Sequence, residues 1–246
     1  MGLLALRAVA TAGRGVRFGE ARHPGPDDFV VLSCNVTSLE AHWAQLIDAR
    51  WDCLLIQEAR VTPQSWVWKD CHRRGWAAHQ GALGTNGQCL VAAVTKSGAV
   101  KALAPLGAAP PERSMRFLWH AGGPCSWSLT NCYAPADGSQ AARLLASAMV
   151  REAVAQDEAH RACPCLVARD FQWNLQELPI AYALGVSNWV DIGDPMPTCD
   201  QAADPQRLDL LLANPAMLQR IRQHSLHWDL GVRTHARTPE PRHRSR

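Results

Sequence analysis

The chain has 246 residues, 47% of them hydrophobic and 19% charged, with a formal net charge of +3. That balance excludes a disordered chain, and no apolar run approaches the roughly 20 residues of a membrane-spanning helix, so a soluble globular chain is expected. The charge is too small to identify a nucleic-acid partner, although the end, "RTHARTPEPRHRSR", is basic enough to attract phosphates.

The length suits one large α/β domain. Residues 1–27, which close on the breaker cluster "RHPGP", are expected as an irregular lead-in, 28–237 as the domain, and 238–246 as a basic, disordered tail. The opening "MGLLALRAVATAG" has its apolar patch interrupted by Arg7 and makes a poor secretory signal. The nine cysteines are odd in number and scattered through strand-like runs, which argues against a disulfide framework and for a reducing, intracellular compartment. Cys163 and Cys165 lack the CxxC spacing, and the histidines form no HxxxH or HExxH pair, so zinc is not indicated.

In chain order, "FVVLSCNV" predicts a strand, and "TSLEAHWAQLIDARW" a helix with Leu39, Trp43, Leu46 and Ile47 on one face. Thr37 and Glu40 have the spacing of a capping box at its start. "CLLIQEA", "QCLVAAVTK", "RFLWHA" and "CSWSLTNCYAP" predict further strands. "SQAARLLASAMVREAVAQDEAH" predicts a long helix, with Ser139 as its candidate cap and Ala141, Leu145, Ala148 and Met149 on a common face. "PCLVARDF" and "RLDLLLANP" complete the strands.

Four of these runs carry a polar group where a strand begins or ends: Asn35, Glu58, Asp170 and Asp209. Each alone is more often a solvated strand end. Together they suggest a shared crevice, because α/β sheets aim rigid side chains into one place at their strand ends. Trp173, close to Asp170, reads either as half-buried packing or as a platform for a base.

The order and wording of the runs resemble the endonuclease/exonuclease/phosphatase superfamily, which includes DNase I-like nucleases, abasic-site endonucleases and the endonuclease domains of LINE-type retrotransposons. "SCNVTSL" resembles its SWNVNGL-type motif, "LLIQEAR" its LQET, "TNCYAP" its NVYAP and "VARDFQWN" its GDFN. "MPTC" is similar to its threonine-containing strand, "RLDLLLANP" to RIDYIL and "GVRTHAR" to SDHxPV. The resemblance implies a four-layer α/β sandwich of two packed mixed sheets flanked by helices. It also implies Mg²⁺, with Mn²⁺ as a substitute, and hydrolysis of a phosphate ester.

Carried over on those motifs, the resemblance makes Glu58 the metal ligand and His235, Asp209, Asp170 and Tyr133 the catalytic group, Asp209 orienting His235. Asn35, Gln172, Arg169 and Thr198 fall at positions that contact phosphate or substrate. Four residues depart from the pattern: Thr37, Arg169 in place of the glycine before Asp170, Gln172 in place of asparagine, and Thr234 in place of aspartate. After His235, "ARTPEPRHRSR" has two prolines and no apolar run, a poor strand where the family has an apolar one. The leading expectation is a metal-dependent DNA-nicking endonuclease derived from a retrotransposon, intracellular, and nuclear if it acts on genomic DNA. A degenerate nucleic-acid-binding domain and a phosphomonoesterase or lipid-phosphate phosphatase of the same fold remain open.

Overall fold

The computed structural model describes residues 3–9, 28–96, 98–120, 126–135, 137–158, 163–170, 173, 178, 180, 184–185, 187–193 and 209–227. Twelve strands lie in them: β1 (Leu3–Val9), β2 (Asp28–Asn35), β3 (Cys53–Val61), β4 (Ala77–Gln80), β5 (Cys89–Thr95), β6 (Ala99–Leu103), β7 (Ser114–His120), β8 (Trp127–Tyr133), β9 (Cys165–Asp170), β10 (Val190–Asp191), β11 (Asp209–Ala213) and β12 (Ile221–His227). The longer helices are α1 (Leu39–Asp48), α2 (Trp66–Arg73) and α3 (Gln140–Glu158).

The strands form two six-stranded sheets, ordered β12-β1-β2-β3-β5-β4 and β10-β11-β9-β8-β7-β6. Each sheet has one parallel pair, β2 with β3 and β8 with β9, and every other recorded pairing is antiparallel. Parallel neighbours need a long crossover, and α1 and α3 supply the two. The two sheets therefore repeat one strand-helix-strand plan.

Strand alternation builds three apolar layers. Val31, Leu55 and Val91 of the first sheet meet Phe117, Leu129 and Leu166 of the second between the sheets. On the outer face of the first sheet, Leu32, Leu54 and Ile56 pack with Trp43 of α1 and Val67 of α2. On the outer face of the second, Val167 and Leu210 pack with Ala146, Met149 and Val150 of α3. The result is the four-layer sandwich, helix, sheet, sheet, helix.

One polar network crosses the apolar seam between the sheets. Gln57 Nε2 donates to Asn131 Oδ1 at 2.6 Å and to Ser33 Oγ at 3.1 Å. Asn131 Nδ2 in turn donates to the carbonyls of Ile56 at 2.9 Å and Ala92 at 3.0 Å. Buried polar groups bonded in this way fix one register between two sheets that apolar contacts alone would let slide.

Several expectations need correction. Leu3–Val9, assigned to the irregular lead-in, is a strand held between β2 and β12. The capping box does not form: α1 begins after Ser38, no side chain caps it, and the Glu40 carboxylate accepts from Ser65 Oγ. Thr37 is unsuited to capping because its backbone is left-handed (φ 59°) and its N–H is taken by Asn35 Oδ1. Ser139 does cap α3, accepting from Ala142 N. The buried face of α3 is Ala142, Ala146, Met149, Val150 and Ala153, so Met149 is placed as expected while Ala141 is exposed and Leu145 and Ala148 are half-buried.

Candidate functional site

Five of the polar residues singled out in the sequence meet where the parallel pairs end. In the first sheet Asn35 ends β2 beside Gln57 of β3, and Glu58 follows Gln57. In the second, Tyr133 ends β8 opposite Asp170, which ends β9, and Asp170 faces Asp209 at the start of β11. All five are buried, from 0% exposure at Asp170 to 7% at Tyr133.

Two hydrogen bonds tie the sheets together here. Asn35 Nδ2 donates to Asp170 Oδ2 at 2.5 Å, and Tyr133 Oη donates to Glu58 Oε1 at 2.6 Å. Asn35 Oδ1 also accepts from Thr37 N at 3.2 Å, so the turn after β2 orients the amide that holds Asp170.

Glu58 reaches this seam through a bulge. Leu54 and Ile56 face the helices, and strict alternation would send Glu58 the same way. Instead Gln57 pairs with Val91 and Val61 with Cys89, which sets three residues of β3 against one of β5. Glu58 (φ 51°) and Arg60 (φ 45°) are both left-handed within that bulge. The alternation resumes with Ala59 and Val61 against the helices, leaving Glu58 turned inward. Backbone strain of this kind clusters at functional sites.

The electrostatics follow from burial and these bonds. Desolvation, reinforced by the hydrogen bond to the Glu58 carboxylate, pushes the Tyr133 hydroxyl well above its ordinary range. It stays a donor throughout the working pH range. Arg60 Nη2 lies 2.8 Å from Glu58 Oε1, and the Arg113 guanidinium carbon lies 5.0 Å from the centre of the Tyr133 ring. Sequence reading missed both cations. Their positions follow from the bulge and from the short turn Pro111–Arg113, neither of which has a local motif.

Arg169 does not belong to the site. As the neighbour of Asp170 on a regular strand it faces the opposite side, buried at 1% exposure beneath α3, where Nη1 donates to the carbonyl of Ala146 at 2.6 Å. Desolvation lowers its pKa to about 9. Trp173 is half-buried against the same outer layer. Gln172, Thr198, Thr234 and His235 lie outside the described residues.

Among the described residues, no three of His, Cys, Asp and Glu converge as a metal-binding group. The seven cysteines found there are free, and no helix there is long and apolar enough to cross a membrane. A hard divalent cation takes oxygen ligands and keeps several waters when protein ligands are few, and Glu58 with the Tyr133 hydroxyl beside it offers oxygens. The buried Glu58 carboxylate is an oxygen donor of the kind such a cation takes, and Arg60 is the cation it faces in this structure.

No protein-family model and no curated protein matches the sequence. Solved structures match the architecture. An AP endonuclease from Archaeoglobus fulgidus superposes with a TM-score of 0.57 at 17% identity, covering 77% of this chain and 88% of its own. A 3'-5' exonuclease from Neisseria meningitidis gives the same values. The endonuclease domain of TRAS1, a telomere-specific non-LTR retrotransposon, superposes at 0.55 and 14% identity, covering 76% and 85%. The fold is that of the endonuclease/exonuclease/phosphatase proteins. The sandwich and the resemblance read from the motifs thus agree, and the structural neighbours of this chain are nucleases and phosphatases.

Proposed function

We propose that this chain hydrolyses phosphodiesters in DNA with a divalent cation, Mg²⁺ or Mn²⁺, held at Glu58. The observation that supports this reading is the pair of bonds Asn35–Asp170 and Tyr133–Glu58, which gather oxygen donors of both sheets at one seam. Three carboxylates, Glu58, Asp170 and Asp209, buried where the parallel strand pairs of both sheets end, form the kind of cluster that functional sites use.

Each residue has a task in that reaction. Glu58 holds the cation, which when bound offsets negative charge on the phosphoryl oxygens. Tyr133, kept protonated, turns its one hydroxyl hydrogen from Glu58 to a phosphate oxygen when the cation occupies Glu58, a donor aimed at charge that grows in the transition state. Asn35 holds the Asp170 carboxylate so that Asp170 orients the attacking water. His235, which the motif resemblance pairs with Asp209, takes the proton that water loses as the new P–O bond forms and the P–O bond to the sugar oxygen breaks, and that leaving oxygen gains a proton from solvent. Gln172 and Thr198 contact the phosphate.

Within this chemistry we assign nicking of double-stranded DNA by a retrotransposon-derived endonuclease, which places the protein in the nucleus. The likeness to the TRAS1 domain supports that choice. A second reading, a DNA-binding domain without turnover, is favoured by one observation: the Glu58 carboxylate is engaged by Arg60.

Conversion of supercoiled plasmid to the open circle separates the two. The purified protein is assayed with Mg²⁺, with Mn²⁺ and with EDTA, beside Glu58→Ala and Asp170→Ala. Metal-dependent nicking lost in both variants is expected. A folded protein that nicks with neither metal, yet retards DNA in a titration, would overturn the hydrolytic reading in favour of the binding one.

A further inference from the structure

We infer that Arg60 is a built-in counter-cation that competes with the divalent metal for Glu58 and sets the metal concentration at which the site fills. This rests on the proposal that Glu58 is the metal ligand.

The geometry carries the inference. Glu58 Oε1 receives two donors, the Tyr133 hydroxyl at 2.6 Å and Arg60 Nη2 at 2.8 Å, and only the second bears a charge. A buried carboxylate without a nearby cation is costly, so a guanidinium there holds the Glu58 side chain in place in the absence of metal. The two side chains differ in freedom. That of Glu58 is 8% exposed and that of Arg60 is 49% exposed. An arginine with half its side chain in water can withdraw at little cost, whereas Glu58 cannot follow it.

The backbone brings the two together. Alternation on a regular strand would set residues 58 and 60 on one face but several ångströms apart, each extended. The left-handed conformations at both positions within the bulge turn the chain so that Arg60 folds back on Glu58. Arg60 is thus a charged partner of Glu58 with a built means of leaving, and a metal that takes its place also releases the guanidinium to solvent.

The test reads metal binding rather than turnover. Mn²⁺ alone is titrated into the wild-type chain, Arg60→Gln, Arg60→Lys and Glu58→Gln, following the rise in unfolding temperature and, separately, the heat of binding. Arg60→Gln should bind Mn²⁺ at least about threefold more tightly than wild type, the scale of a half-exposed ion pair. Arg60→Lys, which keeps the charge but not the fork, should fall between them. Glu58→Gln should abolish Mn²⁺ binding. Equal affinity in wild type and Arg60→Gln, with binding lost in Glu58→Gln, overturns the role of Arg60 and leaves Glu58 as the ligand. Binding that survives Glu58→Gln, or none in any folded variant, overturns both assignments.

Discussion

Replacing Asn131 with alanine tests whether the polar crossing beneath the site holds the two sheets together. The change removes three hydrogen bonds, one accepted from Gln57 Nε2 and two donated to the carbonyls of Ile56 and Ala92. Gln57 Nε2 keeps Ser33 Oγ for one of its two hydrogens, and the other loses its acceptor. At a net value of about 1 kcal/mol per bond, the loss is about 3 kcal/mol. For a chain of this length that corresponds to a fall in unfolding temperature of roughly 6–12 °C. Guanidinium unfolding followed by tryptophan fluorescence is a direct assay, since Trp119 and Trp127 pack in the same inter-sheet layer. A double-mutant cycle with Gln57→Ala should return a coupling above about 0.5 kcal/mol. A loss below about 1 kcal/mol together with additive single effects would refute the crossing as a clamp.

Three further outcomes are expected. Arg116 and Asp157 form a buried ion pair at 2.9 Å, so Arg116→Met alone should cost about 3–5 kcal/mol in denaturant unfolding, whereas pairing it with Asp157→Leu should recover much of the loss. The Asp70 carboxyl is held below its ordinary range, first by the Trp43 indole and then by Arg74. A depressed folded pKa gives stability that is complete above the unfolded value and is lost as pH falls through the folded one. Asp70→Asn should therefore flatten the acid limb of the stability curve below about pH 4. Arg169→Met should change KM for DNA by less than about twofold, since a residue on the far face of β9 makes no uniform contribution to binding.

Much of the site was legible because its residues end apolar runs. Asn35, Glu58, Asp170 and Asp209 were each marked by the strand beside them, Tyr133 by the motif resemblance, and the structure gathers all five. The placement of Arg169 was legible too, since adjacent residues on a strand face opposite ways, and the motif comparison overrode that rule. The bulge was not legible, because glycine usually marks such a turn and here Glu58 and Arg60 adopt it. Nor was β1: its partners are β2 and the distant β12, and a strand completed by pairing so far along the chain has no local signature. The face of α3 was misplaced by one position because alanines fill both candidate stripes.

The bulge makes one more prediction, which separates what Glu58 does from how it is held. Glu58→Ala and Glu58→Gly both remove the bonds to Tyr133 and Arg60, so the difference between them isolates the backbone. Alanine at φ 51° keeps a cost of roughly 1–2 kcal/mol that glycine does not bear. Glycine gives back roughly 0.5–1 kcal/mol through its greater freedom when unfolded. Glu58→Gly should therefore be the more stable variant by about 0.5–1 kcal/mol in denaturant unfolding, while both are equally inactive in plasmid nicking. An alanine variant as stable as the glycine one would mean that the chain relaxes out of the left-handed conformation once the carboxylate is gone. In that case the bonds to Tyr133 and Arg60 would be what impose the bulge, rather than the bulge being what presents Glu58 to them.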